Sequence, residues 1–282
     1  MIEQGVELDY FTINGKGLIG YLKNVPKLKG LLKNNKYDLI HAHYSLSAFA
    51  ATLAGAKPLV VSLMGSDINS KKYYNFLIKI LNRFFWSKII VKSKDMKKVL
   101  RIVNVEIIPN GVDFKTFKPI DKRIAIKQLG WNVSKKHVLF AANPNNYVKN
   151  FKLAKDAFNL LQDKDVELKY LNNIPFDKMV FHHNSADVVL LTSLWEGSPN
   201  VIKEAMACNI PIVSTNVGDV NEIIENTKGC YIAKNDALEI SKKITKALKF
   251  QRRTSGRLDI KHLNSSLIAR DLIKIYKSTL LN

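Results

Sequence analysis

Short apolar runs rich in β-branched residues recur along the chain, and segments of helical period separate them. Most of the runs are apolar throughout, which is typical of strands covered on both faces in a parallel sheet. The runs are Val6–Phe11, Asp38–His43, Pro58–Leu63, Lys88–Val91, Val105–Ile108, His137–Ala142, Val166–Leu171, Asp187–Thr192 and Ile210–Ser214. The helical segments are Leu18–Lys33, Tyr73–Phe85, Lys94–Ile102, Phe151–Leu161, Asn200–Cys208, Ala237–Leu248 and Leu263–Leu280. This alternation predicts an α/β fold built on doubly wound parallel sheets.

A turn signal at Pro109-Asn110-Gly111 divides this pattern into two α/β units. We therefore predict a first domain at residues 1–118, a second at 119–262, and a C-terminal helix at 263–282 that packs back toward the first domain. Ile2–Gly5 has the form of a final helical turn capped by glycine. The strand, glycine-rich loop and helix that normally open a doubly wound domain are not found before Val6. The first domain is therefore expected to lack its initial βα unit.

The composition is that of a globular protein, with 46% apolar and 24% charged residues. No apolar stretch is long enough to predict a membrane span, and the start has no signal-peptide pattern. The two cysteines, Cys208 and Cys230, are typical of buried thiols in a reducing compartment rather than of a disulfide framework. These features together predict a cytoplasmic protein.

The formal net charge of +20 is the unusual bulk property. Residues 1–118 hold 19 Lys and Arg against 8 Asp and Glu. Such a bias favours an anionic partner, which could be a membrane surface, a nucleic acid or a phosphorylated substrate. A proteome rich in Lys and Asn that solvates its surfaces in this way would explain it as well. No nucleic-acid-binding motif is found, so we expect no nucleic acid partner.

The segment from Asp187 to Ile212 carries the most chemical information. It begins as a buried strand, passes through a loop at Gly197-Ser198-Pro199 and continues as a helix. Ser198 suits the helix N-cap and Pro199 the first helical position, and Asn209 suits a left-handed cap at the other end. The backbone amides of the first turn would then form an anion site at the carboxyl end of a parallel strand.

Glu196 and Glu204 flank this loop and helix start, and Ala205-Met206-Ala207 follows the second glutamate. This string resembles the signature of the retaining glycosyltransferases of family four, which have the two-domain GT-B fold. Further segments resemble that family in the same chain order. They are Asp38–His43, Val60–Asp67, Val105–Asp113, Phe117–Pro119, Pro211–Gly218 and Glu222.

The resemblance implies two Rossmann-like domains that face each other across a cleft. It also implies transfer of a sugar from a nucleotide-sugar donor to a cell-surface glycan or lipid-linked acceptor, with retention of anomeric configuration. Such a reaction belongs to polysaccharide or lipopolysaccharide biosynthesis. The family resemblance implies no metal and no other cofactor.

The same resemblance assigns roles to individual residues. Glu196 would contact the transferred sugar as the catalytic residue, and Glu204 would accept hydrogen bonds from the donor ribose. Lys149 matches the phosphate-binding lysine of the family, and Asn143 stands where the family usually has an arginine. The remaining donor-binding positions are Gly197, Ser198, Pro199, Asn200 and Val201. On the acceptor side of the cleft the matching positions are His43, Gly65 and Asp67.

Departures from the family pattern keep two alternatives open. Asn143 carries no charge, and Met64 stands where the family commonly has a histidine that could transfer protons. Together with the absent βα opening, these differences favour a non-catalytic remnant or a partner subunit that binds nucleotide weakly. A sugar-nucleotide epimerase on the same fold is the second alternative, and the Gly-Ser-Pro-Asn loop argues against it.

Several other features have a functional and a structural interpretation. The helical segment at Phe76–Trp86 mixes bulky apolar residues with Lys79 and Arg83. It could pack on a sheet, or it could dock on an anionic membrane at the inner face of the cell, with other basic residues in support. Those residues are Lys71, Lys72, Lys92, Lys94, Lys97 and Lys98.

The remaining polar pairs have weaker functional interpretations. His41 and His43 share one face of a strand and favour a core or cleft role over a metal site. Asp163-Lys164-Asp165 lies before a strand, which is the wrong end for a ligand site, so it is expected to be a solvated loop. His182-His183 is expected to be the polar end of a helix.

Overall fold

The structure, a computed structural model, describes residues 1–69 and 72–281, and it does not describe the side chains at 69 and 72–74. The chain forms two compact units. The first consists of Met1–Pro109 together with Ser266–Asn282, and the second is Asn110–Ser265. The sequence predicts the corresponding boundaries at residues 118 and 262.

The first unit is built on a parallel sheet. Its four strands, counted over the described residues, are adjacent in chain order, and Ala42 of the first strand pairs with Val61 of the second. They are β1 (Ile40–His43), β2 (Leu59–Ser62), β3 (Lys88–Val91) and β4 (Val105–Ile107). Every residue of β2 is buried, as the uninterrupted apolar run predicts for a strand covered on both faces.

Helices follow most of these strands and cover the sheet. They are α1 (Gly17–Leu22), α2 (Val25–Asn34), α3 (Ser45–Leu53), α4 (Ser66–Asn69), α5 (Lys72–Phe84) and α6 (Lys94–Leu100). One hydrophobic core joins Leu46 and Phe49 of α3, Ile78 of α5 and Leu100 of α6 to the sheet. Gly5 ends a short 3-10 helix, Ile2–Gln4, in the left-handed conformation that the sequence predicts.

The predicted strand at Val6–Phe11 is wrong, because this segment is irregular and joins neither sheet in the described part of the chain. Its apolar positions Val6, Leu8 and Phe11 are half-buried, whereas Glu7 and Asp9 between them are exposed. Phe11 packs on the core of the first unit. The alternating pattern therefore reflects side-chain packing of an extended segment without backbone pairing to β1.

The second unit contains a parallel sheet of five strands within the described residues, in the order β6-β5-β7-β8-β9. The strands are β5 (Lys136–Phe140), β6 (Val166–Tyr170), β7 (Val188–Leu191), β8 (Ile212–Thr215) and β9 (Tyr231–Ala233). The chain moves outward from β5 to β6 and then returns to the other side of β5 with β7. The carboxyl ends of β5 and β7 therefore form the topological switch point, where open α/β sheets bind ligands.

Helices cover this sheet as well. They are α7 (Lys122–Leu129), α8 (Phe151–Asn159), α9 (Phe176–Ser185), α10 (Asn200–Ala207), α11 (Val220–Ile224), α12 (Ala237–Leu248) and α13 (Gly256–Asp259). The last helix, α14 (Ser265–Leu280), packs on the first unit, where Ile275 contacts the buried Val60 and Ile90. The region between α8 and β7 contains one strand, as the sequence predicts.

The helices described here fall short of a membrane span, since none of them combines the length and the apolar character that crossing a bilayer requires. Of the basic residues that support the membrane interpretation, Lys71 and the side chain of Lys72 lie outside the described part of the chain.

Candidate functional site

The switch point of the second unit brings Lys149 and Glu196 together. Lys149 follows β5 in the short 3-10 helix Tyr147–Lys149, and Glu196 follows β7. Lys149 Nζ donates a hydrogen bond to Glu196 Oε1 over 2.5 Å, and both side chains are partly accessible to solvent. Two predicted site residues that are 47 positions apart in the sequence therefore form one ion pair at the carboxyl edge of the sheet.

Hydrogen bonds fix both partners of this ion pair. Ser193 Oγ donates to Glu196 Oε1 over 2.7 Å, so the carboxylate has a second donor besides Lys149. Thr192 Oγ1, at the end of β7, donates to the carbonyl of Lys149 over 3.0 Å. Because the backbones after β5 and β7 are tied together in this way, the ammonium and the carboxylate keep a defined mutual position.

The loop after Glu196 rests on the turn that follows β8. Gly218 has φ of 60°, and a Cβ atom at this position would lie 2.7 Å from the carbonyl oxygen of Gly197 and 3.1 Å from that of Glu196. A contact of 2.7 Å is too short for a real Cβ atom, so only glycine allows the two backbones to approach this closely. The position of the Glu196 loop therefore depends on the absence of a side chain at Gly218.

A buried polar network holds Ser198 in the same loop. Ser198 Oγ donates to Asp219 Oδ2 over 2.6 Å and also accepts a hydrogen bond from Lys203 Nζ. Asn110 adds two bonds, because its backbone N–H donates to Ser198 Oγ over 3.2 Å and its side-chain amide donates to the Ser198 carbonyl over 3.0 Å. Ser198 is thus hydrogen-bonded to Lys203 of α10, to Asp219 in the loop after β8 and to Asn110 at the start of the second unit.

Lys203 and Asp219 form an ion pair beneath this loop, with 3.2 Å between Nζ and Oδ2. Burial lowers the pKa of Lys203, and the Asp219 carboxylate opposes this effect. Burial likewise raises the pKa of Asp219, against the influence of Lys203 and the Ser198 hydroxyl. Each group compensates the desolvation of the other, so the pair is stable only when both members are present.

The helix start differs from the prediction for Ser198 and Pro199. Helix α10 begins at Asn200 and Pro199 is its N-cap, whereas we expected Ser198 at the N-cap and Pro199 inside the helix. The Ser198 hydroxyl is engaged by Lys203 and Asp219 and does not cap the helix. Proline has no side-chain acceptor, so no N-cap side chain bonds the first-turn amides of α10. Asn209 has φ of 59° and takes the left-handed position as predicted.

Glu204 is buried in the second turn of α10 and contacts a histidine. Glu204 Oε2 lies 3.1 Å from His183 Nε2, and the His183 side chain is fully buried at the end of α9. The expectation that His182-His183 forms a polar helix end is wrong, since both histidines are buried. The reason is that α9 packs against α10, so its last turn faces the core of the unit.

Asn143 lies after β5, at the same edge of the sheet. Its side-chain amide donates to Asn172 Oδ1 over 3.1 Å, and its carbonyl oxygen accepts from the Asn145 backbone N–H over 2.9 Å. Asn172 follows β6, so the amide pair connects the loops of two neighbouring strands. Asn143 therefore contributes neutral hydrogen-bonding groups at the position where the resembled family usually has an arginine.

The predicted acceptor-side residues lie in the first unit, at the carboxyl edge of its sheet. His43 ends β1 and stacks on His41, with 4.2 Å between ring centroids. Gly65 has φ of 110° in the loop after β2. Asp67 is fully buried, and its carboxylate accepts hydrogen bonds from the backbone N–H groups of Ser45, Met64 and Gly65. Asp67 thus holds the loop that carries Gly65.

His41 is held in its neutral form beneath His43. Burial lowers the pKa of His41 to about 3, and the nearby His43 and Lys92 add to this effect. His41 Nε2 lies 2.9 Å from Ser62 Oγ, and Nδ1 lies 2.5 Å from the hydroxyl oxygen of Tyr276 in α14. The pair of histidines is therefore a neutral, hydrogen-bonded feature of this edge.

No group of three or more potential metal-ligating side chains occurs in the part of the chain that the structure describes. The acidic residues Asp163 and Asp165 are solvated, as expected, and pair with Lys136 and Lys135. The roles of His183, Lys203, Asp219 and Asn110 were missed by the sequence analysis. The signal for Lys203 was its place in the buried helical segment Ile202–Ala207, whose other residues are apolar apart from Glu204.

Two family models match the chain. The model described as Glycosyltransferase Family 4 matches residues 5–116, and the model described as Glycosyl transferases group 1 matches residues 166–259. The two matches fall on the first and second units, and the second contains both Glu196 and Glu204. The chain belongs to glycosyltransferase family four.

Individual relatives agree with this family. The chain is 26% identical over 264 residues to the UDP-Gal:alpha-D-GlcNAc-diphosphoundecaprenol alpha-1,3-galactosyltransferase of Escherichia coli, which covers 78% of this chain and 68% of the relative. The structure of this chain is similar to that of sucrose-phosphate synthase from Thermosynechococcus elongatus, with a TM-score of 0.81 and 17% identity. The similarity covers 93% of this chain and 78% of the synthase chain. The structure is also similar to Anabaena Alr3699/HepE in complex with UDP and glucose, with a TM-score of 0.76 and 20% identity. The similarity covers 98% of this chain and 88% of the Alr3699/HepE chain.

These similarities establish the α/β architecture of two parallel sheets as the GT-B glycosyltransferase fold. The two ion pairs of the second unit differ in how far their side chains are exposed to solvent. Lys149 and Glu196 have partly accessible side chains at the switch point, whereas Lys203 and Asp219 are buried below the loop. The first pair is therefore available to a ligand, and the second pair supports the loop on which Glu196 lies.

Proposed function

We propose that the chain transfers a sugar from a nucleotide-sugar donor to a glycan or lipid-linked acceptor with retention of anomeric configuration. The observation that carries this proposal is the Lys149–Glu196 ion pair at the switch point of the second unit. The neighbouring start of α10 supplies first-turn amides, so a cation, a carboxylate and a helix N-terminus occur at one sheet edge.

This arrangement suits a nucleoside diphosphate leaving group. The donor diphosphate is anionic, and its negative charge increases as the bond to the sugar breaks. Lys149 and the amides of Asn200 and Val201 would stabilise that charge, with Gly197, Ser198 and Pro199 shaping the loop around it. Because Glu196 and Ser193 already orient one another and Lys149, the cation is positioned before the donor arrives.

Two carboxylates receive different roles in this proposal. Glu196 lies beside Lys149 at the switch point and would contact the transferred sugar, so we assign it as the catalytic residue. Glu204 is buried against His183 and would accept hydrogen bonds from the donor ribose. Asn143, paired with Asn172, would supply neutral hydrogen bonds to the donor in place of the charge of an arginine.

The name of the Escherichia coli relative supports a lipid-linked acceptor, since it describes transfer to a diphosphoundecaprenol-linked sugar. His43, Gly65 and Asp67 are the proposed acceptor-side positions, and Asp67 acts there by holding the loop. We place the reaction in the cytoplasm. The buried free thiols of Cys208 and Cys230 are consistent with a reducing compartment.

The proposed chemistry needs no metal or other cofactor, because Lys149 and backbone amides provide the positive charge. In a same-face mechanism, the departing phosphate accepts the proton of the incoming hydroxyl group, and retention follows without a covalent intermediate. Activity should therefore persist in excess chelator. Activity that is abolished by EDTA and restored by Mn²⁺ would contradict this part of the proposal.

The test is a donor panel. The purified chain is incubated with UDP-sugars and GDP-sugars and a diphospholipid-linked sugar acceptor, and release of nucleoside diphosphate is followed together with the anomeric configuration of the product by NMR. We expect one donor to react with retention, and Glu196→Gln to lower turnover by at least about a hundredfold. A chain that binds no donor would support the non-catalytic remnant, and a changed sugar in the unreacted nucleotide pool would support an epimerase.

A further inference from the structure

Helix α5 of the first unit presents apolar residues to solvent as well as to the core. Ile78 is fully buried and packs into the hydrophobic core. On the outward side, Phe76, Ile80 and Phe84 follow one another at intervals of one helical turn. A surface helix usually places polar residues on its outward face, so this apolar stripe is unusual for a helix that covers a sheet.

The stripe is exposed along its whole length. Phe76 and Phe84 have exposed fractions of 66% and 65%, and Ile80 has 38%. Leu77 and Phe85 flank it with exposed fractions of 41% and 44%. Single exposed apolar residues are ordinary, but several in one patch mark a binding surface.

Two basic residues lie beside the stripe. Lys79 and Arg83 are exposed on α5 beside it, and the Arg83 guanidinium lies 5.9 Å from the centroid of the Phe84 ring. The sequence between Asp67 and Asp95 has seven Lys and Arg residues and no Asp or Glu. The partner of this surface should therefore be both apolar and anionic.

An open hollow lies at the C-terminal end of the stripe. Its volume is about 490 Å³, and its lining combines the basic Lys57 and Arg83 with the aromatic Phe84, Phe85 and Trp86. Basic side chains next to aromatic rings suit a phosphate headgroup whose acyl chains lie beside apolar side chains.

We propose that α5, with Phe85 and Lys57, is a docking surface for an anionic lipid bilayer. Phe76, Ile80 and Phe84 enter the boundary between headgroups and acyl chains, and the basic side chains contact lipid phosphates. Charge favours the bilayer over a second copy of the chain. Apposing two such faces would bring Lys79 and Arg83 of both copies together without a carboxylate from this segment to compensate them.

This surface lies on α5 and does not include any residue assigned to sugar transfer. The inference therefore does not depend on the proposed function, and its test requires no activity. The wild-type chain is sedimented with vesicles of phosphatidylcholine alone and with vesicles that contain 40% phosphatidylglycerol, at low and high salt. We expect binding to the anionic vesicles that is at least roughly tenfold tighter than to neutral vesicles, and that weakens as salt increases.

Two double variants separate the apolar from the electrostatic contribution to vesicle binding. Phe76→Ser/Phe84→Ser removes apolar contacts, and Lys79→Glu/Arg83→Glu removes the charges. Both pairs alter exposed side chains and should leave the far-UV circular dichroism and the unfolding midpoint unchanged. We expect each pair to weaken binding to anionic vesicles by at least roughly tenfold.

The charge control is Lys242→Glu on α12 together with Lys249→Glu just after it, which makes the same change in net charge at exposed positions of the second unit. It should retain most of the wild-type binding. Equal loss in the control and the α5 charge variant would overturn the proposal, because binding would then follow net charge alone. A wild-type chain that ignores anionic vesicles at low salt would also overturn it. So would a wild-type dimer that Phe76→Ser/Phe84→Ser converts to a monomer, because a second copy would then cover the face.

Discussion

Lys203 Nζ lies 3.2 Å from Asp219 Oδ2 in the interior of the second unit, and the Lys203 side chain is fully buried. Both groups also bond the Ser198 hydroxyl. A buried ion pair supports stability weakly as a whole, but removal of one partner leaves an uncompensated charge. The pair therefore couples the stability of the unit to the position of the Glu196–Ser198 loop.

Removal of Lys203 alone should destabilise the second unit strongly. We expect Lys203→Met to lower the free energy of unfolding by about 3–5 kcal/mol, because Asp219 stays buried without its cation. The double variant Lys203→Met/Asp219→Leu should recover a large part of this loss. Urea unfolding measures both. The control is Lys122→Met, whose partner Asp187 is partly exposed, and there the loss should be below about 1 kcal/mol.

Gly218→Ala tests whether the position of the Glu196 loop depends on its close backbone contact with Gly218. The added methyl group would lie 2.7 Å from the Gly197 carbonyl oxygen, so the loop must move. We expect turnover to decrease by at least about tenfold, since small displacements of a reacting group reduce rates strongly. Gly130→Ala is the matched control, because Gly130 has φ of 63° but no neighbour within 4 Å of the added methyl group. If turnover were equal in both variants, the added methyl group at Gly218 would not lower turnover through its contact with the Glu196 loop, and this prediction would be contradicted.

His183→Leu tests how Glu204 is oriented. The imidazole contacts the Glu204 carboxylate over 3.1 Å, and leucine removes this hydrogen bond while it keeps the site apolar. If Glu204 binds the donor ribose, the KM for the donor should rise by about tenfold with a smaller effect on kcat. In a Glu204→Ala background the additional effect of His183→Leu should be small. Full additivity of the two changes would contradict a shared role.

The stability of the first unit should decrease in mild acid because of His41. Its pKa in the folded chain is lowered to about 3 by burial, so the folded state keeps it neutral. The unfolded state takes up a proton below its ordinary pKa of about 6.5, and stability then falls with pH until about pH 3. Between pH 7 and pH 5 this contributes a loss of roughly 2 kcal/mol.

The measurement is the free energy of urea unfolding at both pH values. His41→Gln keeps a hydrogen-bonding side chain without a titrating ring, and it should reduce the pH dependence by roughly the same 2 kcal/mol. His262→Gln at an exposed position should leave the dependence as in the wild type. An unchanged pH dependence in His41→Gln would contradict the assignment to His41.

The sequence predicted strands β5, β7 and β8 of the second unit well because they are almost entirely buried, and uninterrupted apolar runs such as Val188–Leu191 are unambiguous. It also predicted a left-handed Asn209, since local backbone chemistry decides that position. It did not predict α7, α9 or β9. The strand prediction at Val6–Phe11 was wrong because alternation of apolar and polar residues indicates which side chains are buried. It does not indicate whether the backbone pairs with another strand.

The candidate site shows the same limit. Motif spacing placed Glu196 and Glu204, but it could not show that Glu196 bonds Lys149 or that Glu204 bonds His183. Those contacts depend on the order of strands in the sheet, because the return of β7 to the side of β5 brings the two loops together. The Ser198 cap was predicted from local preference, and a long-range partner, Asp219, took that hydroxyl instead.

The central claim is that the switch point of the second unit binds the diphosphate of a nucleotide sugar through Lys149. Isothermal titration calorimetry with UDP and with GDP tests it most directly, on the wild type, Lys149→Met and the control Lys152→Met, whose exposed lysine pairs with Asp156. We expect the wild type to bind one of the two nucleotides. Lys149→Met should weaken that binding by at least about tenfold, because a charged hydrogen bond is lost, while Lys152→Met binds as the wild type does. Equal affinity in wild type and Lys149→Met, or a wild type that binds neither nucleotide, would contradict the account.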